Sequence, residues 1–325
     1  MTARFVLDET SWAGATSVVP AVLSDAVRHL LERLDAARIR GEGVVKHRDY
    51  YYTDLGGDVQ LCSMLFEQGC RVQLDHDLTQ WLQLTLDRVE EFDEAGLMGF
   101  EAEFEGKVRF APGVAWAHAA CSQRHHMAVL PLPLGDVPLG PVPVIVAGVT
   151  REIAFVAEES HHVDFFRSVI ALENADKMAF ARLARSAFPA LDWADNIWRG
   201  LRDFSRPYNE VRGELVRYLG GLSDHGATCF HHHAADPSVL TDTLSVHVGT
   251  ATSDENGRTK RHKPSKLCRT RHHCGVDKVF WWHVKLRPNV DRIYFLHEPR
   301  SGNSDLPEHG RIVVGLFKDH CVLPK

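Results

Sequence analysis

The sequence predicts an α+β fold. A mixed N-terminal α/β domain spans residues 1–160, a helical linker domain 161–225, and a C-terminal antiparallel β domain 226–325 with helices on one face of its sheet. Three observations lead there. The last fifth of the chain reads VFWWHVKLRPN, VDRIYFLHEP and GRIVVGLFKDH, three β-branched and aromatic runs parted by turn residues. Residues 162–222 keep helical spacing of apolar side chains almost throughout. The first 160 residues mix the two patterns.

Taken in order, residues 5–7 are a short apolar run ending at Asp8. A helix follows over 20–39, with Pro20 at its start, Gly41 past its end, and Val22, Ala26, Leu30, Leu31 and Leu34 on its apolar face. A second helix is predicted over 77–94. Residues 100–110 and 127–132 alternate like strands, PLPLGDVPLGPVPV reads as a loop or irregular edge, and GVTREIAFVAEE as one more strand. In the middle, one helix covers 163–187 and stops before Pro189. A second covers 193–204. A third begins after Pro207 and ends at Gly220 and Gly221. In the first C-terminal run Trp281, His283, Lys285 and Arg287 share one face, opposite Phe280, Trp282, Val284 and Leu286.

Bulk composition fits a globular protein of two or three domains: 325 residues, 44% hydrophobic, 25% charged, with no apolar run of membrane-span length. The opening MTARFVLDET lacks a signal-peptide pattern, and seven scattered cysteines point to a reducing cytoplasm. Charge is distributed unevenly. Residues 256–292 carry eleven Lys and Arg against Asp277 and Asp291, a balance of +9 in a chain of net −6, so the remainder carries −15. Such asymmetry points to a nucleic-acid surface or to a basic–acidic contact within the chain.

Several constellations have residue types that could carry chemistry. Asp8, after a strand and before a helix, resembles the first acid of PIN-like nucleases, which hold a metal with acids at strand ends; Glu9, Asp49, Asp54, Asp58 and Asp75 lie near it in sequence. Those nucleases are parallel α/β structures, and the hairpin pattern of 100–132 does not fit them, so Asp8 reads as a helix cap or turn residue. Cys229 with His231, His232 and His233, and Cys268 with His272, His273 and Cys274, have zinc-type donors without the spacing of a finger or ribbon. No metal and no cofactor is expected.

The order WHVKL, RIYFL, IVVGLFKDH resembles the core of the RelE/ParE-like toxin superfamily over about residues 210–325. The resemblance implies a curved antiparallel sheet with Lys and Arg on its active face, here Lys285, Arg287, Arg292 and Lys318, followed by His320. It also implies a toxin-type endoribonuclease, or an RNA-binding relative without catalysis, in a toxin–antitoxin or phage-defence setting. Its partners would be RNA, ribosome-associated or free, and an antitoxin; an inhibitory domain within the chain is the alternative to the latter, and no membrane partner is implied. RNA cleavage by 2′-hydroxyl attack needs no metal. It needs a base, a charge stabiliser and an acid, roles assigned to His283, Lys285, Arg287, Arg292 and His320. Arg258, Lys260, Arg261, Lys263, Lys266, Arg269, Arg271, Tyr294 and Lys318 would bind the nucleic acid. The non-enzymatic alternative is a module that docks on nucleic acid or an acidic partner, with a sensing N-terminal domain. Docking should follow total charge, whereas catalysis should require particular residues.

Overall fold

The computed structural model describes residues 3–95, 97–123, 125–288, 290–300 and 307–324. Helices and strands mix throughout, and the fold is α+β. The chain divides into two compact units, Met1–Glu173 and Asn174–Lys325. The stretch 161–225, predicted as a separate helical domain, is shared between them.

In the first unit Phe5, Val6 and Leu7 are completely buried on strand β1 (Ala3–Leu7). An apolar run without alternation is what a strand covered on both faces requires. Helix α1 (Pro20–Ile39) starts and stops where Pro20 and Gly41 place it. Ala26, Leu30, Leu31 and Leu34 are buried as predicted; Val22 is exposed, and Leu23 and Val27 widen the buried stripe instead. Next come β2 (Gly43–Lys46), the small ribbon β3 (Asp54–Gly56) and β4 (Val59–Gln60), α2 (Leu61–Phe66), α3 (His76–Leu86) and β5 (Glu90–Glu91). Helix α3 is shorter than predicted; the Asp75 side chain caps its start. The hairpin β6 (Glu101–Phe104) and β7 (Lys107–Phe110) precedes α4 (Pro112–Ser122). Strands β8 (Ala128–Leu130), β9 (Gly140–Val146) and β10 (Val149–Phe155) and helix α5 (Glu159–Leu172) complete the unit. The last five residues of the predicted Pro-rich stretch thus belong to strand β9.

Strand order is β5-β2-β1-β8-β10-β9-β6-β7. The first five strands run parallel, and β9, β6 and β7 extend the far edge antiparallel. The hairpin therefore sits at the edge of a parallel core instead of excluding one, and the sequence-level objection to a parallel α/β unit falls away.

The second unit begins with α6 (Lys177–Ala187), capped by Asp176. The single helix predicted over 163–187 breaks at Asn174, whose φ is 48°. Strand β11 (Leu191–Trp193) and a 3-10 turn at Ile197–Arg202 replace the predicted second helix. Helix α7 (Tyr208–Gly221) runs on through a π-turn at Leu222–Gly226 into α8 (Ala227–His233). Then come α9 (Pro237–Val248), β12 (Thr252–Ser253), α10 (Gly257–Arg261) and α11 (Lys263–Cys268). The hairpin β13 (Thr270–His273) and β14 (Val276–Val279) leads to β15 (Trp282–Arg287), β16 (Val290–Glu298) and β17 (Arg311–Lys318).

The sheet has order β11-β17-β16-β15-β12, antiparallel except for the β11–β17 pair. Phe230 of α8 packs edge-on against Trp282 and Phe295 on one face. The other face was predicted to be open and is partly roofed. Arg269 lies over the rings of Trp281 and Tyr294, and Phe280 packs so tightly on Gly315 that a Cβ there would meet the ring at 2.2 Å. No described helix is long and apolar enough to cross a membrane.

Candidate active-site cleft and basic sheet face

In the first unit the chain from β1 leads to β2 on one side, while β8 lies on the other side of β1. Strand order reverses there, and the carboxyl ends of such strands splay apart into a crevice, the usual ligand position in open α/β sheets. A cleft of about 800 Å³ lies there, lined by Asp8, Glu9, His47, Asp49, Asp54, Lys107, Arg109 and Asp136 among others. The loop after β1 is held tightly. Asp8 N donates to Leu130 O at 3.1 Å, and Leu132 N donates to Ser11 Oγ at 2.8 Å. Thr10 N and Thr10 Oγ1 both donate to Asp8 Oδ1, at 2.9 and 2.8 Å. Asp8 therefore closes a turn and caps no long helix, as one of the two predicted roles has it; it also stands on the cleft floor.

Glu9 is turned under the first turn of α4. Gly113 N donates to Glu9 Oε2 at 3.1 Å, while Glu9 Oε1 is buried without a hydrogen-bond partner. Only glycine fits at 113, since a Cβ would stand 2.4 Å from Leu7 O. Burial raises the Asp8 carboxyl against the opposing pull of Thr10 and Arg109. Burial, and then the Asp8 charge, push Glu9 from 4.5 up to about 8. The cleft lining thus combines a carboxyl that keeps its proton near neutrality with the cations Lys107 and Arg109 of the β6–β7 hairpin, of which Arg109 acts on Asp8.

The Glu9 proton links stability to pH. Below about pH 4.5 folded and unfolded chains both hold the proton. Between there and about pH 8 only the folded chain holds it, so stability falls as pH rises through that window. Glu9→Gln should raise stability at pH 8.5 by up to about 5 kcal/mol, at about 1.4 kcal/mol per pKa unit, and give far less at pH 5. Urea unfolding of the full chain at both pH values checks this; an equal effect at both would exclude a proton-linked cost at Glu9.

In the second unit the sequence-predicted residues do share a face. Lys285 pairs directly with Arg292, and Arg292 with Lys318, giving a basic row across three strands. Arg287 is exposed beside it, and His320 follows half-buried, with its Nδ1 2.6 Å from Cys321 O. Several of the assigned roles do not survive burial. His283 is 3% exposed; burial first, then Arg292 and Lys285, push its imidazole down to about 3. It stays neutral and enclosed, a poor proton shuttle. Arg292 is 7% exposed and lies 3.7 Å from Glu255, so it is no open phosphate clamp.

Arg269 and Tyr294, predicted to bind nucleic acid, are fully buried. Arg269 Nη2 donates to Glu255 Oε1 at 2.6 Å, and Cys321 N donates to Tyr294 Oη at 3.2 Å. Glu255, one residue before the counted basic stretch, lies under three cationic or imidazole groups: Arg269, Arg292 and His283. Arg258, Arg261, Lys263 and Lys266 are exposed. Lys260 pairs with Asp254, Arg271 donates to Cys268 O and Thr270 O, and Lys318 lies 3.9 Å from Asp203.

No family model, curated protein or solved structure matches the chain. The functional reading therefore rests on these two sites. The cleft was the less legible of them. Its one sequence signal is the fully apolar Phe-Val-Leu run followed at once by Asp8 and Glu9; Lys107, Arg109 and Asp136 reach it only through the fold.

Proposed function

We propose that the chain cleaves RNA, with its chemistry in the cleft of the first unit and a phosphate-binding sheet face in the second. The observation that carries this reading is the meeting of Asp8 and Glu9 with Lys107 and Arg109 in a cleft where strand order reverses. A phosphodiester needs cations for its charge and a carboxylate at the reacting water, and both are present. Asp8, Asp49, Asp54 and Asp136 are oxygen donors of the kind Mg²⁺ or Mn²⁺ takes. Among the described residues no three of them stand as a ready-made cage. Mg²⁺ commonly binds through one or two carboxylates plus substrate phosphate, so the donor set fits an ion that enters with RNA. Such an ion would activate water and offset phosphate charge.

A second reading keeps catalysis on the basic sheet face, without metal, as the RelE/ParE-like resemblance implies; the exposed Arg287 and the half-buried Lys285 and Lys318 favour it. The toxin–antitoxin or phage-defence setting belongs to that reading. One experiment separates the two. End-labelled single-stranded RNA is incubated with the full chain in Mg²⁺, Mn²⁺ or EDTA, and the product ends are mapped. Cleavage lost in EDTA, with 5′-phosphate ends, supports the cleft. Cleavage persisting in EDTA, with 2′,3′-cyclic phosphate and 5′-hydroxyl ends, supports the sheet. No cleavage under any condition leaves only the docking alternative.

The sheet face has its own test. Each phosphate contact to a single strand contributes about 0.7 to the slope of log affinity against log salt. Joint replacement of Lys285, Arg287 and Lys318 by alanine should flatten that slope by about 2. An unchanged slope would remove the sheet face from RNA binding.

A further inference from the structure

We propose that Asp192, His273 and Cys274 form a binding site for a divalent transition metal of the Zn²⁺ class, which fastens the β13–β14 hairpin to strand β11. The sequence placed His273 and Cys274 in a zinc-type cluster with Cys268 and His272, at a spacing that matches no finger or ribbon. The fold supplies Asp192 from 81 residues upstream, on strand β11. One ligand atom from each residue lies within 4.8 Å of the other two. His273 Nε2 stands 3.6 Å from Asp192 Oδ2 and 3.5 Å from Cys274 Sγ. For a tetrahedral ion with bonds of about 2.0–2.3 Å, neighbouring donors sit about 3.3–3.8 Å apart. Both separations fall in that interval before any ion draws the groups in.

Two further observations support the site. Cys274 and Gly275 form the tip of the hairpin with φ of 48° and 81°. Such a turn favours Asn, Asp or Gly at its first central position, and cysteine there carries backbone strain. The strained residue is also the one whose sulfur lies beside His273. The carboxylate is held by a donor on each oxygen, and Oδ2 keeps a second lone pair for a metal, as ligating carboxylates commonly do. Trp193 N donates to Asp192 Oδ1 at 2.8 Å and Arg311 Nη1 to Asp192 Oδ2 at 2.6 Å. His273 is 3% exposed and Cys274 is exposed, so the imidazole is enclosed and the fourth position opens to water.

The donor set fixes the ligand class. Thiolate and imidazole exclude Mg²⁺ and Ca²⁺ and suit Zn²⁺ or Co²⁺. Cys274 binds as thiolate, so each ion bound sends one thiol proton to solvent. The role follows from topology. Among the described residues the β13–β14 ribbon pairs with no other strand, and an isolated two-stranded ribbon is marginal in water. A single backbone bond, Asp195 N to His272 O at 3.0 Å, already joins it to the segment after β11. A metal shared by both segments would lock that junction.

The test uses chelator-treated full chain titrated with Co²⁺. The expected result is one ion per chain with a sulfur-to-cobalt charge-transfer band in the near ultraviolet, visible bands of tetrahedral strength, and displacement of both by Zn²⁺. Cys274→Ser should abolish the near-ultraviolet band; the side chain is exposed, so folding should be unaffected. Arg311→Gln, which touches only the carboxylate, should weaken Co²⁺ binding by roughly tenfold. A wild-type chain with no charge-transfer band, or a band that persists in Cys274→Ser, overturns the proposal.

Discussion

Asp8→Asn should lower RNA cleavage by the full chain by about 10²–10⁴-fold, the range for losing one acid–base group, with RNA affinity nearly unchanged. Asparagine keeps the shape of the side chain and its Oδ1. The bonds from Thr10 N and Oγ1 that close the turn after β1 can therefore remain. What is lost is a charge that burial already disfavours, so the variant should be at least as stable as the parent. A fall in rate then reports chemistry instead of unfolding. The measurement is the single-turnover rate with enzyme in excess, beside a urea unfolding curve. Cleavage at the parental rate would remove Asp8 from the reaction and, with it, the cleft.

The second large effect concerns stability. Glu255→Ala should destabilise the second unit by about 3–5 kcal/mol, the usual cost of removing one partner from a buried charge pair. Arg269 is fully buried and would lose its carboxylate; Arg292 and His283 would lose the nearest negative group. The remaining Arg269 contacts, bonds to Ser265 O at 3.1 Å and Val322 O at 3.4 Å and the rings of Trp281 and Tyr294, do not neutralise it. Trp281 lies under Arg269, so tryptophan fluorescence should follow the loss. A shift below about 1 kcal/mol would show that water or rearrangement solvates these arginines.

Local chemistry was legible in the sequence, and long-range neutralisation was not. Helix α1 ends where its proline and glycine place it, because those residues act within a few positions. Strands β15 to β17 fall inside the three alternating runs. By contrast Gly220 and Gly221 read as a stop, yet the helix continues. Gly221 is there for space: a Cβ would meet His247 O at 2.6 Å. The segment 193–204 reads as a helix by apolar spacing, but Leu191 to Trp193 pair with β17 more than 100 residues away. The basic row across β15, β16 and β17 was foreseeable from alternation. That Glu255 would draw Arg269 and Arg292 out of solvent was not, since composition counts charges without saying which meet. For the same reason Asp8 was visible as an acid at a strand end, while the cations opposite it were not.

The short outer strands of the second sheet have a consequence for handling the protein. Strand β17 carries Ile312, Val313, Val314, Leu316 and Phe317, and its outer edge is capped by the three residues of β11. The opposite side of the sheet ends in the two residues of β12. Brief end strands of this sort deny a template to other molecules. A fragment begun at residue 210, where the toxin resemblance starts, would lack β11 and bare a flat apolar margin. Such a piece should pair edge to edge with its own copies and precipitate, whereas one begun at residue 174 should stay dispersed.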